Sequence, residues 1–204
     1  MRGDPRRMSD QVVMQATWGP FVHSEIFLQR DEDIRFYTAC SPLGKGFVPS
    51  VRLHGIQTWD NWEIVRVPFV QQGGYEIAYS LILQILAMSL PYNNKDLWQC
   101  CVKVMLPFED DLDCDNLVTW QKSGVFCSQV CLLILRRLAR RQAIGLTNDS
   151  SPGRGSAVLE NLNSRGCSPN TLYNILTALV PPLKKKCETT RACSLDRRRT
   201  IRST

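Results

Sequence analysis

The sequence predicts an α+β domain in which an antiparallel sheet packs against a few helices. Three observations predict it. Apolar runs of β type alternate with turn residues from Phe21 to Phe69. Helical spacing of apolar residues begins only near Tyr75, and a strongly patterned helix follows Cys127. The chain has 204 residues, enough for one domain with a substantial core plus tails. Its 44% apolar and 22% charged residues match an ordinary globular protein. The longest membrane-span candidate, Ile77 to Leu90, falls short of the roughly 18 apolar residues a span needs, and Tyr79, Ser80, Gln84 and Ser89 interrupt it.

Residues 1–10 read as a disordered polar leader, basic but followed by no apolar stretch, which argues against a secretory signal. Residues 11–182 read as the folded domain. Val12 to Met14 suggests a short strand. Phe21 to Leu28 ends in a β-type run, Arg30 to Asp33 is a charged turn, and Ile34 to Ala39 reads as the returning strand of a hairpin. The loop Ser41-Pro42-Leu43-Gly44-Lys45-Gly46 has two glycines and a lysine. It lacks the spacing and the Ser or Thr of a phosphate loop, so no nucleotide cofactor is expected. Phe47 to Leu53 and Glu63 to Phe69 are further strand candidates, the second ended or held to an edge by Pro68.

After Gly73-Gly74, a helix is predicted over Tyr75 to Met88, with Ala78, Leu81, Ile82 and Ile85 on one face. Pro91 to Asn94 reads as a turn, and Lys95 to Met105 is ambiguous. The acidic run from Glu109 to Asp115 lacks the central glycine and final glutamate of a calcium loop and reads as solvated. The helix after Cys127 extends to about Gln142. Val130, Cys131, Ile134, Leu135 and Leu138 share its buried face, and Arg136, Arg137, Arg140 and Arg141 sit toward its C-terminal end, where cations suit the dipole. A flexible linker is predicted over about 147–158. Ser168-Pro169 is a helix start, with Ser168 as cap, and that helix stops before Pro181-Pro182.

The last segment, 183–204, carries eight Lys or Arg and two acids, and accounts for the whole net charge of +6. It has no periodicity and reads as a basic disordered tail. Any attraction to nucleic acid or an anionic membrane therefore belongs to the tail and not to the body. Nine cysteines, an odd number at irregular spacing, fit a reducing compartment such as the cytosol, with most thiols as small buried hydrophobes.

Histidine is scarce: His23 and His54 are the whole supply. A cysteine nucleophile needs a thiolate, and a nearby imidazole can hold the departing proton. Cys127 stands where the loop Gly124 to Phe126 is expected to enter a helix. The free N–H groups and dipole there favour a negative sulfur, and its own N–H suits an oxyanion. Glu25, two positions past His23 on a strand, shares its face and could orient the ring. Thr38, on the returning strand, is the other candidate for that third role. Against this stand ordinary readings. A lone histidine at a strand start commonly just hydrogen-bonds within the structure, and one cysteine of nine commonly just packs. Cys131, one turn later, is the rival nucleophile, but it lies away from the free N–H groups. Cys100-Cys101 and Cys127-x-x-x-Cys131 have no C-x-x-C pairing or compact histidine pair, so no metal site is expected.

Four motifs in order carry a resemblance. Trp18-Gly19-Pro20-Phe21-Val22-His23-Ser24-Glu25-Ile26-Phe27-Leu28 resembles the histidine strand of circularly permuted papain-like proteins of the NlpC type, which include YiiX-like hydrolases, lecithin:retinol acyltransferase-like proteins and viral members. In this superfamily the histidine strand precedes the cysteine helix. Phe126-Cys127-Ser128-Gln129-Val130 is similar to its aromatic–Cys–Ser–Glu–Leu/Val motif, with Gln129 replacing the glutamate. Pro91-Tyr92-Asn93 resembles its turn after the first long helix. Cys167-Ser168-Pro169-Asn170-Thr171-Leu172 resembles its closing Ser/Thr-Pro-x-x-Leu segment. Together they cover about residues 17–178. The strand after the histidine often carries Glu or His in the family, whereas this chain reads Phe36-Tyr37-Thr38-Ala39, which leaves Thr38 and Glu25 as alternatives for the third member.

The resemblance implies a permuted papain-like fold. It also implies a thiol hydrolase or acyltransferase acting on an amide, ester or thioester of a peptide, lipid or other acyl substrate, with no cofactor. The His-Ser-Glu form and the tail are most like viral members, for which the compartment would be a host cell or virion. The alternative expectation is a non-catalytic papain-like scaffold whose basic tail makes weak contact with nucleic acid or an anionic membrane.

Overall fold

The computed structural model describes residues 2–3, 5–6, 8–17, 19–30, 33–37, 62–70, 72–88, 90–93, 95, 111–146 and 154–180. In chain order these form helix α1 (Met8–Thr17), strands β1 (Ile26–Arg30) and β2 (Asp33–Tyr37), then helices α2 (Gly74–Ala87), α3 (Leu117–Ser123), α4 (Cys127–Arg140) and α5 (Arg154–Glu160). A 3-10 turn (Ser164–Gly166) and helix α6 (Pro169–Leu179) follow. The architecture is mixed α and β but helix-rich, and among the described residues the sheet is a single antiparallel hairpin. Its register runs from Ile26↔Tyr37 to Arg30↔Asp33, so the chain reverses at the charged turn the sequence marks.

Helix α4 is the centre of the fold. Val130, Cys131, Ile134, Leu135 and Leu138 are buried as the periodicity requires, and Leu132 and Leu133 are fully buried too. Ser128, Gln129 and Arg136 are buried with them, so the helix is covered around nearly its whole circumference and must be enclosed by neighbours. Helices α2, α5 and α6 and the 3-10 turn all pack on it. Helix α2 presents the predicted face, with Ala78, Leu81, Ile82 and Ile85 buried. Helix α6 starts as expected: Ser168 Oγ accepts the Thr171 N–H at 3.1 Å, with Pro169 next in the first turn.

Several local expectations are corrected. Val12 to Met14 lies in helix α1 and not in a strand, and Arg2 and Gly3 of the expected leader are tied to Phe21 and Pro20 by backbone pairing. The weak β-preference of two valines yields here to the packing of α1 against α6. Glu63 to Phe69 forms no regular strand among the described residues. Its side chains alternate in exposure, with Val65 and Val67 on the core, but its pairing is one bridge, Phe69↔Ile144. Pro91 to Asn93 is a bridge partner and not a simple turn: Val125 N–H donates to Pro91 O at 3.0 Å, and Asn93 N–H donates to Val125 O at 3.1 Å. Helix α5 begins inside the span expected as linker and runs two residues past it, and α3 falls within a span where no element was expected. Phe47 to Leu53, the Ser41 to Gly46 loop, Thr38, His54 and the 183–204 tail lie outside the described residues. Among the described residues, no helix is long and apolar enough to cross a membrane.

Candidate active site

The first turn of α4 is built by the chain just before it. Gly124 ends α3 at φ +72°, a left-handed conformation that favours glycine, and its N–H caps Trp120 O at 2.9 Å. A Cβ there would also press on Pro91 O. Val125 is then held by the bridge to Tyr92, and Phe126 N–H donates to Gln129 Oε1 at 3.3 Å. Gln129 thus supplies the back-bonding half of a capping box, which a glutamine serves as well as a glutamate. These constraints set Cys127 as the first residue of α4, among N–H groups with no partner inside the helix.

His23 arrives from the other end of the sequence, in the segment 22–25 that leads into β1 without regular structure of its own. Its imidazole hydrogen-bonds the Cys127 thiol. Its Nε2 lies 3.2 Å from Glu25 Oε1, and the histidine and glutamate side chains are 22% and 5% exposed. Backbone N–H groups of Ser24 and Ser128 both donate to the Cys127 sulfur. The structure therefore brings together three of the four residues singled out in the sequence, Cys127, His23 and Glu25. Thr38 lies outside the described residues.

Burial works against the His23 cation, but the Cys127 charge, the hydrogen bond between them and the adjacent Glu25 outweigh it. The imidazole is pushed up from 6.5 to about 9. Burial works equally against the Cys127 thiolate. The His23 charge and hydrogen bond, with the two N–H donors, reverse that and hold the thiol below its ordinary value. Both shifts run in the direction that favours a thiolate beside an imidazolium. Cys131 behaves oppositely: burial first, then the Cys127 charge, push its thiol well above the ordinary range. One helical turn apart, the two thiols are pushed in opposite directions, which favours Cys127 over Cys131 as nucleophile.

Cys127 is 2% exposed, and the imidazole beside it is the less buried partner at 22%. There the Trp62 ring meets His23 edge-on, with centroids 6.4 Å apart. Neither Trp62 nor the Ser24 N–H is legible in the sequence. The first is remote in the chain and the second is a backbone group. Among the described residues, one donor set outside this site has metal-like spacing, Asp113, Cys114 and Asp115. A guanidinium already fills it, with Arg140 Nη1 2.5 Å from Asp115 Oδ2 and 3.6 Å from Asp113 Oδ1. Burial and Asp115 push the Cys114 thiol up to about 11, which disfavours the ligating thiolate. Comparison with known proteins finds no matching family model, no similar curated protein and no similar solved structure.

Proposed function

We propose that the chain is a thiol hydrolase or acyltransferase of the permuted papain-like kind, with Cys127 as nucleophile, His23 as acid–base group and Glu25 as the residue orienting the imidazole. The observation that carries this reading is the hydrogen-bonded Cys127–His23 pair at a helix N-terminus, with both pKa shifts in the direction of a thiolate–imidazolium. The order of the two motifs and the four resembling segments support the permuted papain-like assignment.

In this mechanism the Cys127 thiolate attacks the carbonyl carbon of an amide, ester or thioester. A C–S bond forms and the carbonyl π pair moves to oxygen. The Cys127 N–H, free at the first turn, is the donor placed to stabilise that oxyanion. Collapse breaks the bond to the leaving group, which takes the proton of the His23 imidazolium. Neutral His23 then draws a proton from water or another acceptor as it attacks the thioester. The second oxyanion expels the thiolate, and the resting pair is restored. Glu25 keeps the ring in the orientation that serves both steps.

Burial of Cys127 favours a second reading, a papain-like scaffold that no longer admits substrate. Labelling with iodoacetamide at mildly acidic pH, followed by peptide mapping, separates the two. An active pair gives alkylation of Cys127 ahead of the other eight cysteines, and His23→Ala slows it by about tenfold or more, because the thiolate fraction falls tenfold per pKa unit. Uniform slow labelling, unchanged by His23→Ala, would sink the enzyme reading and leave the scaffold.

A further inference from the structure

We infer that the segment Cys167–Asn170 is a bracket that sets the distance between His23 and Cys127, with Asn170 and Ser128 as positioning residues. This rests on the proposed thiolate–imidazolium pair and extends it to residues that touch neither reacting atom.

The Asn170 amide closes on a single residue of the histidine strand. Its Oδ1 accepts the Phe21 N–H at 2.9 Å, and its Nδ2 donates to Phe21 O at 2.9 Å. A carboxamide offers an acceptor and a donor side by side, so Asn170 pairs with the Phe21 N–H and C=O as a neighbouring strand would, while the bridge to Arg2 runs through Gly3 and Pro20. Its Nδ2 also donates to Thr17 Oγ1 at the end of α1, at 2.5 Å. Asn170 is 5% exposed, so water cannot replace these partners cheaply. Gly19 is part of the fit, because a Cβ there would overlap the Asn170 amide. The Phe21 ring packs on Tyr173 of α6, centroids 4.4 Å apart. His23 follows Phe21 by only two residues, so a shift of Phe21 is passed on to the imidazole.

The other end of the segment grips the cysteine helix. Ser128 Oγ donates to Cys167 O at 2.6 Å, with both residues buried. Ser128 follows Cys127 directly, and its N–H donates to the sulfur. Between the two grips lie Ser168, fixed as helix cap, and Pro169, whose ring fixes φ. Two chain segments far apart in sequence are thus referred to one stiff stretch of four residues. A charge-assisted S–H–N pair loses strength steeply with misplacement, so this spacing governs how low the Cys127 thiol titrates.

A merely structural tie would cost stability without moving that titration. The test uses the full chain and three readouts: ultraviolet thiolate absorbance against pH, the rate of Cys127 alkylation at neutral pH, and the melting temperature. Asn170→Asp keeps the acceptor but turns a negative oxygen toward Phe21 O, and Ser128→Ala removes the other grip while keeping the N–H. Either variant should raise the Cys127 titration by about one unit and slow alkylation about tenfold. Leu176→Ala, a core truncation farther along α6, should lower the melting temperature while leaving alkylation unchanged. Folded Asn170→Asp and Ser128→Ala proteins with the wild-type thiolate titration would overturn the bracket. If Asn170→Asp does not fold, Ser128→Ala alone decides it. If the wild-type protein itself shows no acid-shifted thiolate, the pair fails and not the bracket alone.

Discussion

The His23 imidazolium and Cys127 thiolate titrate in opposite senses, and the signs define a pH window. The His23 value in the folded chain, about 9, lies above its ordinary 6.5, so its contribution to stability is full below 6.5 and lost as pH rises to about 9. The Cys127 value lies below its ordinary 9.0, so its contribution is full above 9.0 and lost as pH falls. The two slopes cancel wherever the folded pair and the unfolded histidine and cysteine hold the same proton total. If the pair is a thiolate–imidazolium at neutral pH, as proposed, the gap in unfolding free energy between wild type and the Cys127→Ala/His23→Ala double variant stays level across neutral pH up to about 9 and narrows below 6.5. Urea unfolding at several pH values checks this, and a gap that widens toward acid would refute the charged pair. Glu25 adds to the upward push on His23 through a hydrogen bond and its charge. Glu25→Gln keeps the shape and removes the charge, so the His23 midpoint followed by NMR should fall below about 9; an unmoved midpoint would remove Glu25 from the site. Of these residues, Cys127 and His23 were readable because a cysteine at a helix start and a scarce histidine are sequence-level signals. Glu25 and Thr38 could not be separated from sequence, since strand register decides which one reaches the ring.

At the scale of elements, periodicity was the reliable guide where an element buries a defined face. The β1–β2 hairpin, α2, α4 and α6 all fall where spacing and turn residues place them. The misses are short or paired through tertiary contacts. Helices α3 and α5 have seven residues each, too few to show a face. The segment Glu63 to Phe69 alternates like a strand, yet a ladder needs a partner that no local pattern supplies. The start of α6 tests the opposite case, a local signal carried fully into structure. Ser168 Oγ accepts the Thr171 N–H and also bonds Thr171 Oγ1 at 2.9 Å. Ser168→Ala should cost about 1 kcal/mol, the usual worth of a serine cap, and lower the melting temperature by about 2–4 °C for a chain of this size. Thermal unfolding by circular dichroism measures it, and a melting point unchanged within a degree would show that Pro169 and core packing alone define the helix start.

For the whole molecule, the acidic stretch and the arginines of α4 have meaning only together. Each has an adequate local reading, a solvated loop and a dipole-matched helix end, and neither reading predicts that they meet. In the fold Asp111 Oδ2 takes Arg136 Nη1 at 2.7 Å, while Asp111 Oδ1 accepts the Ser164 N–H at 2.8 Å. Arg136 also donates from Nε to Leu159 O at 2.7 Å and from Nη2 to Glu160 O at 3.3 Å. One guanidinium therefore joins the central helix, the acidic loop and the end of α5. Arg140, a turn later, makes comparable contacts with Asp115 and Glu160 in the open. Burial separates the two energetically: the Arg136 side chain is 3% exposed and that of Arg140 is 41% exposed. Truncating Arg136 strands two carbonyls and a carboxylate, so Arg136→Met should cost about 3–5 kcal/mol, the range for breaking a buried pair. Arg140→Ala removes solvent-screened contacts and should cost about 1 kcal/mol or less. Arg136→Lys keeps the charge but not the fork that spans three acceptors, so it should recover only part of the loss. Urea unfolding of the three variants measures the order. Equal costs at 136 and 140 would mean that the clasp is surface electrostatics, and that the loop and α5 are held to α4 by apolar packing instead.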